Sequence, residues 1–237
     1  FSSSANFFTF YKFEINFNVD LTLISIAVIF PLVFTIRGSF RRREKALEHL
    51  SQFRASLNTV HYLVISKSEL PDEEKIIIRD SLEEISEKTI GHIRDNNCTV
   101  EHLDNAINNV YDFILNHKEF FGRSLRDKIF KYMNDVHESV ENLLAIHTHR
   151  TPISLKAYCE IFIYLFPLIY APIIINNIGL SSPQWFTYFI VIVTEFILIT
   201  LFNIQDKLEY PFDNDGLDDI QLENFKLNRT SDSNCSK

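Results

Sequence analysis

The sequence predicts an all-α chain, an integral membrane helical protein with a cytosolic helical bundle. Three observations lead there. Apolar residues gather in three runs, 21–36, 157–175 and 185–204, whereas residues 39–150 are rich in charge and carry their apolar residues at helical spacing. Only five Gly occur among 237 residues, beside many Leu, Ile, Glu and Lys, a composition that favours helix. The first apolar run also turns abruptly basic, at Arg37, Arg41, Arg42, Arg43 and Lys45. A helix leaving a bilayer has this character, because acyl chains reject charge and the cytoplasmic interface collects Lys and Arg.

Residues 1–20 are aromatic, polar and too short for a full span, so they read as an outer or interfacial segment, or the remnant of a first membrane helix. The chain begins with Phe rather than Met, from which a processed or truncated N-terminus is expected. The run 21–36 is about 16 residues, or roughly 24 Å as a helix, slightly short for a solitary span and suited to packing among other helices. Ile26, Phe30 and Phe34 recur every fourth residue and share one helix face. Pro31, between them, should kink the helix or loosen its hydrogen-bond ladder. Two readings of that face stand side by side: bulky packing against neighbouring helices, and the wall of a pore.

The first helix is expected to continue well past the membrane, because Leu47, Leu50, Phe53, Leu57, Val60 and Val64 form one apolar stripe. Pro71 with Asp72, Glu73 and Glu74 starts a second helix, acids there suiting the positive end of the dipole. Its stripe is Ile78, Leu82, Ile85 and Thr89, and it fades at residues 95–97. Thr99 caps a third helix bearing Leu103, Ile107, Val110 and Ile114. Gly122 and a capping-box pattern, Ser124-Leu125-Arg126-Asp127, start a fourth, with Ile129, Met133, Val136, Val140, Leu143 and His147 on its stripe. Residues 37–150 are thus assigned to a cytosolic bundle.

Thr151-Pro152 introduces the second apolar run, in which Pro167 and Pro172 are tolerable inside a membrane bundle. A short polar turn over 176–183 leads to Trp185, at an interfacial aromatic position, and to the third run. Residues 151–204 therefore form a membrane hairpin. Glu195 and Glu160 lie in these runs, each a functional candidate or a packing residue that needs a partner. The basic flank places the bundle inside, the turn at 176–183 outside, and the acidic tail 205–237 inside again. By that topology the glycosylation patterns at Asn97 and Asn228 are chance matches.

Several functions are excluded. A formal charge of −8 argues against nucleic-acid binding, which needs concentrated positive surface. Cys98, Cys159 and Cys235 form neither a disulfide framework nor a zinc pair. His147 and His149 alternate on a helix and point apart. No Ser/His/Asp set, Gly-rich phosphate loop or paired-Cys motif supports catalysis, so the chain is not expected to be an enzyme.

Three segments occur in order with matching hydropathy. Phe34-Thr35-Ile36-Arg37-Gly38-Ser39-Phe40-Arg41-Arg42 is similar to an FRxNxxYxR segment. Thr151-Pro152-Ile153-Ser154-Leu155-Lys156-Ala157-Tyr158 is similar to a P-I-P-L-A-Y lead-in to a membrane helix. Pro211-Phe212-Asp213-Asn214-Asp215 with Asp218 is similar to PFGxDxxDL. Together they resemble the bestrophin family of ion channels in its compact, prokaryote-like form, over roughly residues 21–225 and most weakly over 67–134. The resemblance implies a homopentamer in which five copies of the first helix surround a central pore. Ile26, Phe30 and Phe34 then fall on its narrow neck, forming rings about 6 Å apart along the axis. Such a constriction gates by dewetting, since an ion entering it loses water and gains no charged partner. The partners implied are small inorganic ions (chloride or sodium), the lipid bilayer and further copies of the chain.

Two departures bear on selectivity. Arg37 stands where the family has Asn, with Thr35 in place of its Arg, so the cytosolic end of the neck is charged differently. Asp213 replaces the Gly of PFG. Asp20 would form an acidic ring at the outer mouth, favouring cations. The resemblance puts chloride and other anions slightly ahead, with a cation-selective channel of the same fold as the alternative. A different class, a non-conducting membrane scaffold whose bundle binds proteins, also stays open. No cofactor is required. Asp213, Asp215, Asp218 and Asp219 offer hard oxygen ligands suited to calcium but fail the EF-hand spacing. Asp215 and Asp218 match side-chain positions of the clasp in calcium-gated bestrophins, and the competing reading is a helix start ahead of Ile220 and Leu222.

Overall fold

The computed structural model describes residues 21–95, 99–178, 183–213 and 219–228. These form six α-helices with no strand among the described residues: α1 (Leu21–Ile65), α2 (Asp72–Asp95), α3 (Val100–Asn116), α4 (Arg123–Thr148), α5 (Ile153–Ile178) and α6 (Gln184–Glu209). A 3₁₀ turn, Leu222–Phe225, follows. The chain divides into two compact units, one of Phe1–Arg42 with Thr151–Glu209, the other of Arg43–Arg150 with Tyr210–Lys237. The divisions fall a few residues beyond the ends of the apolar runs at Ile36 and Ile204. Helix α1 passes through the first division without interruption, as its continuous apolar spacing predicts.

In the unit that contains α2, α3 and α4, the apolar stripes become the core. Leu50, Phe53, Leu57, Val60 and Val64 of α1 are fully buried, as are Ile78, Leu82 and Ile85 of α2. Leu103, Ile107, Val110 and Ile114 of α3 meet Ile129, Met133, Val136 and Val140 of α4 in one apolar cluster. Burial of each such side chain contributes about 1.5–3 kcal/mol, which is what holds these otherwise polar helices together. The carbonyl of Pro71 accepts the first helical hydrogen bond, from Lys75 N at 3.1 Å, with Asp72, Glu73 and Glu74 in the first turn of α2.

Two helix ends differ from expectation, and a third keeps its expected position without a side-chain cap. Helix α4 starts at Arg123, with Gly122 as its N-cap residue, so the capping box at Ser124 does not form: the helix is already under way there. Thr99 is the N-cap of α3 but makes no side-chain capping bond. Asn176 and Asn177 belong to α5, which shortens the expected polar turn, because a membrane-type helix prolongs its own backbone bonding before it releases the chain.

The start of the acidic tail is built into the same unit. Phe212, Ile220 and Leu222 are buried with Ala46, Leu50, Ile90, Ile93 and Leu143. Ile220 N donates to Pro211 C=O at 2.9 Å, Arg54 Nε to Lys226 C=O at 3.0 Å, and Leu227 N to Ser86 Oγ at 3.0 Å. Arg94 pairs with Glu223. The helix start expected before Ile220 and Leu222 falls largely outside the described residues; within them, Leu222–Phe225 is a 3₁₀ turn.

The other unit joins the first part of α1 to the hairpin of α5 and α6. Two stretches among the described residues are long and apolar enough to cross a membrane. One ends at Ile174, within α5, and the other is Tyr188–Glu209 of α6. Val28 and Leu32 of α1 pack with Cys159, Ile163 and Phe166 of α5 and Leu198 of α6. At the base of the hairpin, Glu209 is nearly buried. Its carboxylate accepts from Thr151 N and Gln205 Nε2, both at 3.1 Å, and lies 3.6 Å from Lys156 Nζ. Lys156 also pairs with Asp206. A buried carboxylate so surrounded costs far less than a bare one.

One titration follows from the bundle's packing. Burial, then the nearby His92 and Arg150, push the His147 imidazole below its usual value of 6.5. The unfolded chain therefore takes up this proton at higher pH than the folded one, and stability is lost as pH falls through about 6.5. We expect the melting temperature of the full chain to drop between about pH 7.5 and pH 5.5, and His147→Gln to flatten that slope; an unchanged slope would remove His147 as a contributor.

Candidate pore-lining face

Helix α1 is apolar nearly all round over its first four turns, yet only one side of it is covered by its own unit. Val28 and Leu32 are 2% and 0% exposed, and Thr35 and Ser39 continue the covered side. Their partners come from α5 and α6. The Thr35 hydroxyl donates to the Leu32 carbonyl at 2.8 Å, which satisfies a polar group on an otherwise apolar contact. The Tyr158 hydroxyl, on α5, donates to the Ala27 carbonyl at 3.2 Å.

The opposite side holds the residues singled out by spacing. Ile26, Phe30 and Phe34 are 54%, 59% and 54% exposed, and Ile29 and Val33 are uncovered beside them. The Phe30 and Phe34 rings meet edge to face at 4.9 Å, so they form one aromatic pair along the helix. Thr22, Ser25, Ile26, Ile29, Phe30 and Tyr170 line a shallow open groove. Arg37, three residues beyond Phe34, is also exposed, giving the face a positive end after about three turns of apolar surface. This face can exclude ordered water from a narrow space, and it has no chemistry for bond making.

Asp20, Asp215 and Asp218 lie outside the described residues. Of the remaining acidic residues of the tail, Asp213 is exposed and Asp219 is half-buried. Glu160 is exposed, and Glu195 is partly covered, its Oε2 buried with no hydrogen-bond partner among the described residues. The His147 ring lies 6.1 Å from that of His92 and 6.5 Å from that of Phe212. Spacing did not reveal the contribution of Tyr158 or the carboxylate cluster at Glu209. A Tyr inside an apolar run that needs a partner for its hydroxyl was the available signal for the first.

No protein-family model and no curated protein matches the sequence. Among solved structures, the chain is similar to a bacterial bestrophin homologue from Klebsiella pneumoniae. The two share 13% identity and a TM-score of 0.78 over 94% of this chain and 90% of that one. The chain has a bestrophin-like fold. A point variant of a bacterial bestrophin homologue from the same organism gives 14% identity and a TM-score of 0.76 over the same shares. A crystal structure described as that of a membrane protein gives 13% and 0.78, again over 94% and 90%. The likeness extends across the bestrophin-like fold as a whole, both helical units included, although few residues are shared.

The two faces of α1 differ in what substitution should cost. Leu32→Ala should destabilise the chain by about 2–5 kcal/mol, because it opens a cavity against α5 and α6. Ile26→Ala should stay within about 0.5 kcal/mol. Thermal unfolding of the purified chain checks both, and equal losses at the two positions would contradict the division of faces.

Proposed function

We propose that the protein is a multi-pass membrane channel subunit that conducts small ions passively through a pore shared by five copies of the chain. One observation carries the reading: Ile26, Phe30 and Phe34 stand uncovered on the single side of α1 that its own hairpin leaves open. The bestrophin-like fold supports it. Bulky apolar side chains at four-residue steps, repeated around an axis, would form stacked rings about 6 Å apart. A passage lined this way empties of water when narrow, and an ion entering it gives up hydration for no charged contact. Ile29 and Val33, at the sides of the same face, would then meet the neighbouring copies. In this reading residues 21–36 line the pore, 37–150 form a cytosolic bundle, 151–204 a membrane hairpin and 205–237 a cytosolic tail.

Anions, chloride among them, are the favoured cargo. The exposed Arg37 would place a positive ring at the cytosolic end of the neck, lowering the energy of a negative ion there. Cation selectivity is the second reading, favoured by Asp20, whose carboxylates would ring the outer mouth. Reversal potential of the reconstituted protein under opposed chloride and sodium gradients separates the two. Calcium, if it acts, would engage Asp215 and Asp218, and the same recording with and without calcium tests that assignment.

Truncating the neck should open it. Phe30→Ala and Phe34→Ala are each expected to raise current through reconstituted bilayers, and unchanged current in both would remove these rings from the gate. Water-soluble thiol reagents supply an independent readout, with Cys98, Cys159 and Cys235 first replaced by Ala. Cysteine at position 26, 30 or 34 should then react from the aqueous phase, whereas cysteine at 28 or 32 should be protected. Protection at all five positions would point to a lipid-facing side and to a non-conducting scaffold.

A further inference from the structure

Pro31 lies inside α1, between Phe30 and Phe34. Having no N–H, it cannot donate to the carbonyl four residues back, which is that of Ala27. In an apolar surrounding an acceptor left without a donor costs free energy, so a proline in such a helix is tolerated where a neighbouring helix serves the freed group. The structure shows that service at this position. The Tyr158 hydroxyl reaches from α5 and donates to the Ala27 carbonyl at 3.2 Å. The Tyr158 ring is partly buried and packs on Phe162, with centroids 4.4 Å apart, so the hydroxyl is delivered by a ring fixed on both the α1 and the α5 side. Four residues beyond Pro31, Thr35 returns its own hydroxyl to Leu32 C=O at 2.8 Å, another departure from simple backbone bonding on the side of α1 that faces the hairpin.

We infer that the Tyr158 hydroxyl replaces the helical donor that Pro31 lacks, and thereby fixes the register in which α1 presents Ile26, Phe30 and Phe34. Tyr158 is a positioning residue for the neck and touches no ion. The inference rests on the pore reading of that face, but the pairing of Tyr158 with Pro31 has its own test.

The logic dictates a double-mutant cycle. Tyr158→Phe removes one oxygen and keeps the ring. Pro31→Ala restores a backbone N–H that can bond Ala27 itself, making the hydroxyl redundant. In the otherwise unchanged chain, Tyr158→Phe should lower the melting temperature by roughly 2–4 °C, the size expected for one hydrogen bond in a chain of this length. It should also change the macroscopic current by about fivefold, the factor that such a contribution makes in an equilibrium between neck states. Combined with Pro31→Ala, both effects of Tyr158→Phe should nearly vanish. Equal temperature losses with and without Pro31→Ala would overturn the pairing, whatever the currents do. Coupled temperatures with currents indifferent to Tyr158→Phe would keep the pairing and overturn the positioning role. Coupled temperatures in a protein that passes no current at all would leave the pairing standing and remove the pore reading instead.

Discussion

A helix that is apolar on nearly every side can be covered on only one side by a two-helix hairpin. That constraint shapes the unit formed by the start of α1, α5 and α6. Val28 and Leu32 are consumed by the hairpin, and helical geometry then leaves Ile26, Phe30 and Phe34 pointing away from it, since residues two positions apart on a helix diverge by about 200°. Each uncovered Phe keeps a large apolar surface that its own chain does nothing to remove from water. Such a face is completed by lipid, by other copies of the chain, or by a passage that stays dry when closed. The proposed channel uses the last two together.

Several polar groups of the hairpin tie its segments together. Glu209, which would be costly to bury alone, collects Thr151 N, Gln205 and Lys156 around it and so ties the first residue of the unit's second segment to its last. Tyr158, near the start of α5, serves α1 instead. These contacts join α1, α5 and α6 through directional bonds in addition to apolar packing, which by itself would tolerate sliding. The proposed pore wall would need that added definition, because the width of a hydrophobic neck depends on the register of its rings.

The bundle unit follows different physics. Its helices are charged on one side and buried on the other, and the tail segment after Tyr210 packs in with them through Phe212, Ile220 and Leu222. The far end of that tail segment is held through the backbone groups of Lys226 and Leu227, which bond the side chains of Arg54 and Ser86. Residues that look in sequence like a solvated acidic tail are, in this part, a strap over the core.

The sequence by itself determined the helices and their inward stripes. A 3.6-residue period in apolar side chains is a local property, and burial then has a single stable solution for Leu50, Phe53, Leu57, Ile78, Leu82 and Met133. It also set the face shared by Ile26, Phe30 and Phe34, since four-residue spacing places them together whatever surrounds them. Only the tertiary structure decided which side of α1 is covered, because that depends on where α5 and α6 dock, and spacing is indifferent to the choice. The same holds for the donor that reaches Ala27 from 131 positions along the chain and for the burial of Glu209. Each of these is settled by contacts between segments far apart in the chain, and no local pattern of residues encodes them.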